Sequence, residues 1–295
     1  MTVGLRSLAP IDHVQGVAVP VHVLYPANAA MQAKAFGPYA IDVAEGAPIA
    51  PSVDGEAMPV VAISHGTGGT PWSHRVLASH LARAGFAVAL VVHPGNTRGD
   101  NALEGKPENL ANRPRHLRVA LDAVFGDGVL GAYVAQGRAA VIGHSLGAYT
   151  ALAIAGGRPM ALPNETPDGV ARAVEVARDP RVDALVLLAP ALPWFMAPRA
   201  LADVRARLFV RTGERDELTP PYFVERILGE REMDYGVVPG AGHFAFLSPF
   251  PPALTSPAFP PSQDPPGFDR AAFQPQLCAE VEAFLRGAPR DGSSS

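Results

Sequence analysis

A serine stands at the centre of Gly143-His144-Ser145-Leu146-Gly147, which has the pattern G-x-S-x-G. This pentapeptide follows a short apolar run, Ala139–Ile142, and opens a helical pattern, Leu146–Ala155. A tight turn from a strand into a helix holds the serine hydroxyl above the sheet and aims the next backbone amide at the same point. We therefore predict that Ser145 is a nucleophile and that the amide of Leu146 is one donor of an oxyanion hole.

A serine hydroxyl needs a general base, and of the nine histidines only His243 follows Ser145 in the chain. His243 lies in a glycine-flanked loop after an apolar run, Tyr235–Val238. The order serine, acid, histidine is typical of nucleophiles held on a strand-to-helix turn. We predict that His243 is the general base and that an acid lies between the two residues.

Thirteen Asp or Glu residues lie in that interval, and three of them share the loop Gly213–Glu217, which follows the apolar run Arg207–Thr212. Glu214, Asp216 and Glu217 therefore compete for the role. We select Asp216 because it lies deepest in the loop and because its short side chain orients an imidazole rigidly. The two glutamates are interpreted as solvated charges at a helix N-terminus.

A second oxyanion donor is expected from the glycine-rich turn His65–Gly69, and the amide of Thr67 is the best candidate. The turn lacks the nucleotide-binding patterns G-x-G-x-x-G and G-K-[ST]. We predict an apolar pocket with these lining residues: His65, Trp72, Asn96, His144, Pro190, Trp194, Phe195, Phe244 and Phe246. His65 and His144 are structural or pocket-lining in this interpretation, because a metal site needs more ligands than the sequence places here. Asn96 either lines the pocket or only shapes its turn.

The elements that must position these residues alternate along the middle of the chain. Short apolar runs predict strands at Val60–Ser64, Ala87–Val92, Ala139–Gly143, Ala184–Leu188 and Arg207–Thr212. Amphipathic segments predict helices at Trp72–Ala84, Arg115–Phe125, Leu146–Ala155 and Pro221–Leu228, with a closing helix at Ala279–Arg286. This alternation predicts an α/β fold with a mostly parallel sheet and helices on both faces. An upstream segment, Val17–Tyr25, is expected to be an antiparallel edge strand.

Three segments fall outside the alternation. Ala27–Pro59 is expected to be a prologue loop, and Gly156–Pro180 an insertion with a short helix at Gly169–Arg178. Pro249–Pro266 holds eight prolines, which remove backbone donors and fix φ. We expect this proline-rich segment to stay out of the sheet and to form a loop-built cover over the pocket.

Composition narrows the class of protein. The 295 residues are 48% hydrophobic and 18% charged, which excludes a disordered chain, and the net charge of −4 predicts no nucleic-acid partner. The lone cysteine, Cys278, excludes a disulfide framework. No run reaches the ~18 apolar residues of a membrane span, and Met1–Pro10 lacks the apolar core of a signal peptide. We expect one cytoplasmic domain over residues 1–295.

Taken together, these residues resemble those of the bacterial "predicted dienelactone hydrolase" group of α/β-hydrolases, which is also similar to platelet-activating-factor acetylhydrolases. The motifs that carry the resemblance are His65-Gly66-Thr67-Gly68-Gly69, His93-Pro94-Gly95-Asn96-Thr97, Asn112-Arg113-Pro114, the pentapeptide around Ser145, Asp216 and Gly242-His243-Phe244. The resemblance implies the α/β-hydrolase fold and a serine carboxylic-ester hydrolase that needs no cofactor or metal. It implies nothing about a particular substrate.

Three positions depart from these relatives. Dienelactone hydrolases use a cysteine nucleophile, whereas this chain has Ser145 there. Platelet-activating-factor acetylhydrolases place their acid just after the next strand, where this chain has Leu187–Ala191 without a carboxylate. That absence favours Asp216. His116 stands where the group usually has an aspartate.

The predicted function is hydrolysis of a small or medium ester or lactone through an acyl-enzyme. Two alternatives use the same residues differently. The first is an acyltransferase, in which another acceptor replaces water. The second is a non-catalytic protein that keeps the fold as a ligand pocket, against which the intact order of serine, acid and histidine argues.

Overall fold

The computed structural model describes residues 1–50 and 55–287. Its strands are β1 Thr2–Leu8, β2 Ile11–Asp12, β3 Val17–Ala18, β4 Val21–Ala27, β5 Gln32–Phe36, β6 Tyr39–Glu45, β7 Met58–Ser64, β8 Ala87–Val91, β9 Val134–His144, β10 Met160–Ala161, β11 Arg172–Ala173, β12 Val182–Leu188, β13 Arg207–Gly213 and β14 Asp234–Val238. Its α-helices are α1 Arg75–Arg83, α2 Pro107–Gly126, α3 Leu146–Ile154, α4 Tyr222–Leu228 and α5 Arg270–Arg286.

Ten of these strands form one sheet, in the order β14-β13-β12-β9-β7-β8-β4-β1-β6-β5. The six strands from β14 to β8 are parallel to one another. Three of them, β7, β8 and β12, are almost entirely buried because both faces are covered: along β8, alternate residues enter two separate cores. One core packs against α2, α3 and α4, and the other against α1 and α5. The predicted mostly parallel sheet with helices on both faces is confirmed.

The N-terminal part of the sheet differs from the prediction. Val17–Tyr25 is not an edge strand, because β4 lies between β1 and β8 and pairs antiparallel with both. The prologue loop Ala27–Pro59 contains the hairpin of β5 and β6, and β5 is the true edge. Residues 51–54 of that segment lie outside the described residues. In β6 the buried residues Tyr39, Ile41 and Val43 alternate with exposed ones, which is the period of a half-buried strand.

The insertion Gly156–Pro180 holds no helix at Gly169–Arg178, so that prediction is wrong. Instead, β10 pairs with β11 in a short antiparallel ladder. The reason is that residues 169–178 have no helical apolar face: only Val174 and Val176 are partly buried, and they are two residues apart.

Helix boundaries also shift. A 3₁₀ turn, Pro71–His74, precedes α1, and the side chain of Thr70 accepts a hydrogen bond from the Trp72 amide at its start. The helix α2 begins at Pro107 rather than at Arg115, so it includes Asn112-Arg113-Pro114. The closing helix α5 begins nine residues earlier than predicted, at Arg270, where the Asp269 side chain caps it.

The proline-rich segment Pro249–Pro266 forms no strand and contains two 3₁₀ turns, Pro252–Leu254 and Pro260–Ser262. The buried Arg270 side chain holds it, donating to the carboxylate of Asp264 and to the carbonyl of Pro261. The segment therefore has a defined position over the sheet edge. No helix among the described residues has the length and apolar character to cross a bilayer.

Candidate active site

The predicted site residues follow strands that end side by side. In the parallel register Ser64 lies opposite Gly143, Leu188 opposite His144, and Gly213 opposite Val238. The turns after β7, β9, β12, β13 and β14 consequently meet at the carboxyl edge of the sheet, where ligands bind in open α/β sheets.

Ser145 occupies the turn between β9 and α3 with φ 53° and ψ −119°, a left-handed conformation that costs a non-glycine residue ~1–3 kcal/mol. The two flanking glycines are sterically required. A Cβ at Gly143 would lie 2.2 Å from the carbonyl oxygen of Gly147, and a Cβ at Gly147 would lie 1.9 Å from that of Ser64. The G-x-S-x-G spacing is therefore what lets the chain turn this sharply.

His243 and Asp216 form a buried pair, with Nδ1 of the imidazole 2.9 Å from Oδ2 of the carboxylate. Thr219 completes the group: its hydroxyl lies 2.7 Å from Asp216 Oδ2, and its amide donates to Oδ1 at 2.7 Å. Burial raises the pKa of Asp216, but hydrogen bonds from His243 and Thr219 outweigh it, so the pKa lies below its ordinary value. The carboxylate is thus ionised at neutral pH. Sequence reasoning did not single out Thr219.

The other two candidate acids point elsewhere. Glu214 accepts a hydrogen bond from the amide of Gly240 at 2.7 Å and is exposed, and Glu217 is exposed as well. Of the three carboxylates in this loop, only Asp216 contacts His243.

Ser145 and His243 line the same cavity of about 470 Å³. Four predicted pocket residues line it too, namely His144, Pro190, Trp194 and Phe244. Two groups of lining residues were not predicted: Tyr39 and Arg98, and Leu192, Pro193, Leu218 and Phe223. Phe250, Phe259 and Pro261 line the cavity too, and they belong to the proline-rich segment that the sequence predicts as a cover.

The other predicted pocket residues do not line this cavity. Trp72 is buried in the core, with its ring stacked on Phe36 at 3.7 Å. Phe195 and Phe246 are core residues as well: each is almost fully buried, and their rings contact those of Tyr149 and Phe273, respectively. His65 and Asn96 have no exposed surface. His65 is the first residue of the glycine-rich turn, and Asn96 contacts that turn at the Thr67 hydroxyl.

The glycine-rich turn packs directly against the strand-to-helix turn that holds Ser145. A Cβ on Gly66 would lie 3.3 Å from Cβ of Ser145 and 3.2 Å from Nδ1 of His144. Thr67 lines the cavity beside Ser145. Leu146 is the first residue of α3, where a backbone amide has no acceptor within the helix. Both predicted oxyanion donors thus belong to segments that border the serine.

Five further histidines are buried around the site: His65, His74, His93, His116 and His144. Burial lowers the pKa of each, to about 4 for His74 and about 3 for His116, so all five are neutral at pH 7. Nε2 of His144 lies 3.0 Å from the carbonyl of His243 and so supports its backbone. Within the described ranges, no three His, Cys, Asp or Glu side chains are grouped as metal ligands.

Cys278 lies in α5, outside the cavity lining. Burial raises the pKa of its thiol to about 11, so the thiolate population at pH 7 is negligible.

Several solved structures share this fold over nearly the whole chain. A ferulic acid esterase from Streptomyces cinnamoneus has a TM-score of 0.66 at 21% identity, with 100% of this chain and 93% of that chain covered. A dienelactone hydrolase from Anabaena variabilis has a TM-score of 0.55 at 18% identity, with coverage of 96% and 99%. An esterase from Thermogutta terrifontis has a TM-score of 0.57 at 14% identity, with coverage of 95% and 93%.

No family model matches the sequence. No curated protein matches it either. At identities this low, similarity between structures shows the fold and not the reaction. The chain therefore has the α/β-hydrolase fold, with a cavity at the edge where the candidate residues meet.

Proposed function

We propose that this chain, an α/β-hydrolase by fold, is a serine hydrolase that cleaves a carboxylic ester or lactone through an acyl-enzyme. Ser145 is the nucleophile, His243 the general base and Asp216 the acid that orients it. The observation that carries the proposal is the opening of a strained Ser145 and an Asp216-paired His243 onto one cavity.

In the first step, His243 takes the proton of the Ser145 hydroxyl as the oxygen attacks the ester carbonyl. Asp216 keeps Nδ1 of His243 protonated, so that Nε2 is the basic atom. The carbonyl oxygen becomes an oxyanion, and the amides of Thr67 and Leu146 donate to it. The imidazolium then gives its proton to the leaving alcohol as the carbon–oxygen bond breaks, and the acyl group stays on Ser145.

In the second step, His243 removes a proton from water, which attacks the acyl carbonyl. The carbonyl–Oγ bond breaks, and Ser145 recovers the proton from the imidazolium. The products are a carboxylic acid and an alcohol, or one hydroxy acid from a lactone. The triad needs no cofactor for either step.

The cavity favours an uncharged ester of small or medium size. Most of its lining side chains are aromatic, aliphatic or proline, and its volume is about 470 Å³. That volume lies within the ~300–1,000 Å³ typical of small-molecule sites. Esterases and a dienelactone hydrolase among the structural neighbours support the same reaction class.

A chromogenic acetate ester tests the proposal directly. We expect the wild type to release the chromophore and Ser145→Ala to lose turnover, with unchanged thermal unfolding as evidence that the variant is folded. Equal activity in the two proteins would overturn the assignment of the nucleophile. Product analysis with a competing alcohol should give mainly the free acid; a predominantly transferred acyl group would instead identify an acyltransferase.

A further inference from the structure

A buried guanidinium lies behind the glycine-rich turn. Arg113, on α2, has no exposed surface. Burial lowers its pKa to about 9, so it is still a cation at pH 7. None of its hydrogen-bond partners within residues 1–50 and 55–287 is a carboxylate. Burying an arginine without a counter-charge costs several kcal/mol, so its hydrogen bonds must offset that cost.

The guanidinium joins three elements of the site. It donates to the Thr150 hydroxyl on α3 at 3.0 Å and to the Ser64 hydroxyl at the end of β7 at 3.2 Å. It also donates to the carbonyl of His65, the first residue of the glycine-rich turn. The helix that starts after Ser145 and the turn that borders it are thus tied to one rigid group.

A fourth bond continues toward the cavity. Arg113 donates to Oδ1 of Asn96 at 2.6 Å, and Nδ2 of the same amide donates to the Thr67 hydroxyl at 3.0 Å. Asn96 is fully buried, so these bonds are shielded from water. Because Oδ1 is held by the cation, the side-chain amide is fixed with its NH₂ group toward Thr67. This chain of bonds holds the turn on both sides, at His65 and at Thr67.

We propose that Arg113 and Asn96 are positioning residues that set the Thr67 amide against Ser145, through the hydrogen bond from Asn96 to the Thr67 hydroxyl. The proposal rests on the proposed esterase function. It also explains the uncompensated charge: a fixed cation behind the turn, in a site of low dielectric, favours negative charge that develops on the substrate oxygen.

Substitutions at the Thr67 hydroxyl distinguish a positioning role from a role in packing alone. Thr67→Val keeps the shape of the side chain and removes the acceptor, whereas Thr67→Ser keeps the acceptor. We expect Thr67→Val to lower kcat by about tenfold or more with little change in KM, and Thr67→Ser, which restores the acceptor, to recover most of that loss. Thr212→Val is the matched control, because it removes the hydroxyl of another buried threonine that lies outside the cavity lining. It should keep its kcat.

An aryl boronic acid supplies a second readout, since its tetrahedral serine adduct carries a negative oxygen. Its affinity should fall in Thr67→Val by the same factor as kcat/KM. Arg113→Lys should lose a similar factor, because one ammonium group cannot hold both Asn96 and the His65 carbonyl. If Arg113→Lys does not fold, the comparison of Thr67→Val with Thr67→Ser still tests the positioning role.

The two proposals fail in different ways. A wild type that neither hydrolyses the ester nor forms the boronate adduct would overturn the esterase function, and the positioning role with it. An active wild type with Thr67→Val and Thr67→Ser equally active would overturn only the positioning role. An equal loss of kcat in Thr212→Val would also overturn it, because the loss would then reflect general weakening of the core.

Discussion

Ser145 has a positive φ, a backbone conformation that residues other than glycine rarely adopt. It lies between Gly143 and Gly147, two positions where a Cβ would clash with the backbone. Structural strain of this kind persists only where the surroundings enforce it. Here the amide of Ser145 donates to the carbonyl of Leu188, and its carbonyl accepts from the amide of Ala148. These two hydrogen bonds hold the Ser145 backbone at the carboxyl edge of the sheet. We therefore expect the position of its hydroxyl to be set by this turn.

We expect a fluorophosphonate or sulfonyl fluoride reagent to add once, at Ser145, with loss of esterase activity. The physical reason is that Ser145 lines the same cavity as the Asp216-paired His243. Among the described residues, Ser7 and Ser64 also lie beside an imidazole, but neither lines the cavity. Intact mass and peptide mapping measure the stoichiometry and the site. Labelling at another residue, or full activity after complete labelling, would refute the assignment.

The acid of the triad is tested by amide substitutions. Asp216→Asn should keep the fold and lower kcat by about 10²–10⁴, because the imidazole loses its orienting charge. Glu214→Gln and Glu217→Gln are matched controls from the same loop and should cost far less, since neither side chain contacts His243. Steady-state kinetics on one chromogenic ester compares the three. A crippled Glu214→Gln or Glu217→Gln with an active Asp216→Asn would mean that the wrong carboxylate was chosen.

At the scale of elements, the cavity is walled by segments that lie far apart in the chain. Arg98 lies over the ring of Phe259 at 4.6 Å and within 3.5 Å of the Tyr39 hydroxyl. The β5–β6 hairpin and the proline-rich segment therefore meet above the sheet edge. A proline-rich loop is stiff and loses little entropy when it is held in place, which suits a pocket wall.

We expect the proline-rich segment to influence substrate size more than the chemical step. Replacing Ser256–Pro265 with a short Gly/Ser linker should shift the preferred acyl length or raise KM, while labelling of Ser145 by a small reagent proceeds at nearly the wild-type rate. Phe259→Ala should give the same shift in smaller measure, because its ring lines the cavity. Thr255→Ala, from an exposed part of the same segment, is the control. An unchanged profile across short and long esters would make the segment a surface strap without a role in binding.

At the scale of the whole molecule, the buried imidazoles link folding to pH. A histidine whose pKa is lowered in the folded state is protonated first in the unfolded chain, so stability falls as the pH falls below the unfolded value of about 6.5. For His74 the loss continues to about pH 4 and amounts to about 3 kcal/mol there. The neighbouring imidazoles add to the same loss.

We therefore expect the free energy of unfolding in urea to fall steeply between pH 6.5 and 4. His74→Leu should flatten that dependence and cost little at pH 7. Neither ring nitrogen of His74 has a hydrogen-bond partner among the described residues, so the apolar side chain loses no such bond. His13→Leu is the control, because His13 is exposed and its replacement should leave the slope unchanged. An equally steep slope in His74→Leu would contradict the linkage.

The sequence by itself determined the alternating centre of the fold and the candidate nucleophile and base. Short apolar runs bounded by glycine or polar residues predict strands buried on both faces, and the glycines around Ser145 report a local steric requirement. His243 followed from chain order. The apolar runs and the flanking glycines are local signals, because each depends only on residues close to it in the chain. The β5–β6 hairpin was missed because β5 is mostly exposed and lacks an apolar period, although the alternation in β6 is a signal for a half-buried strand.

Only the tertiary structure decided which residues meet. Burial separates Asp216 from Glu214 and Glu217, which have the same charge and the same loop. The tertiary structure places Trp72 in the core. It also brings Tyr39 and Phe259 to the same cavity, although more than 200 residues lie between these two in the chain. It also shows Asn96 as a link between Arg113 and Thr67 instead of a pocket wall. The physical reason is that a side chain's type is local, whereas its burial and partners depend on long-range packing of the sheet.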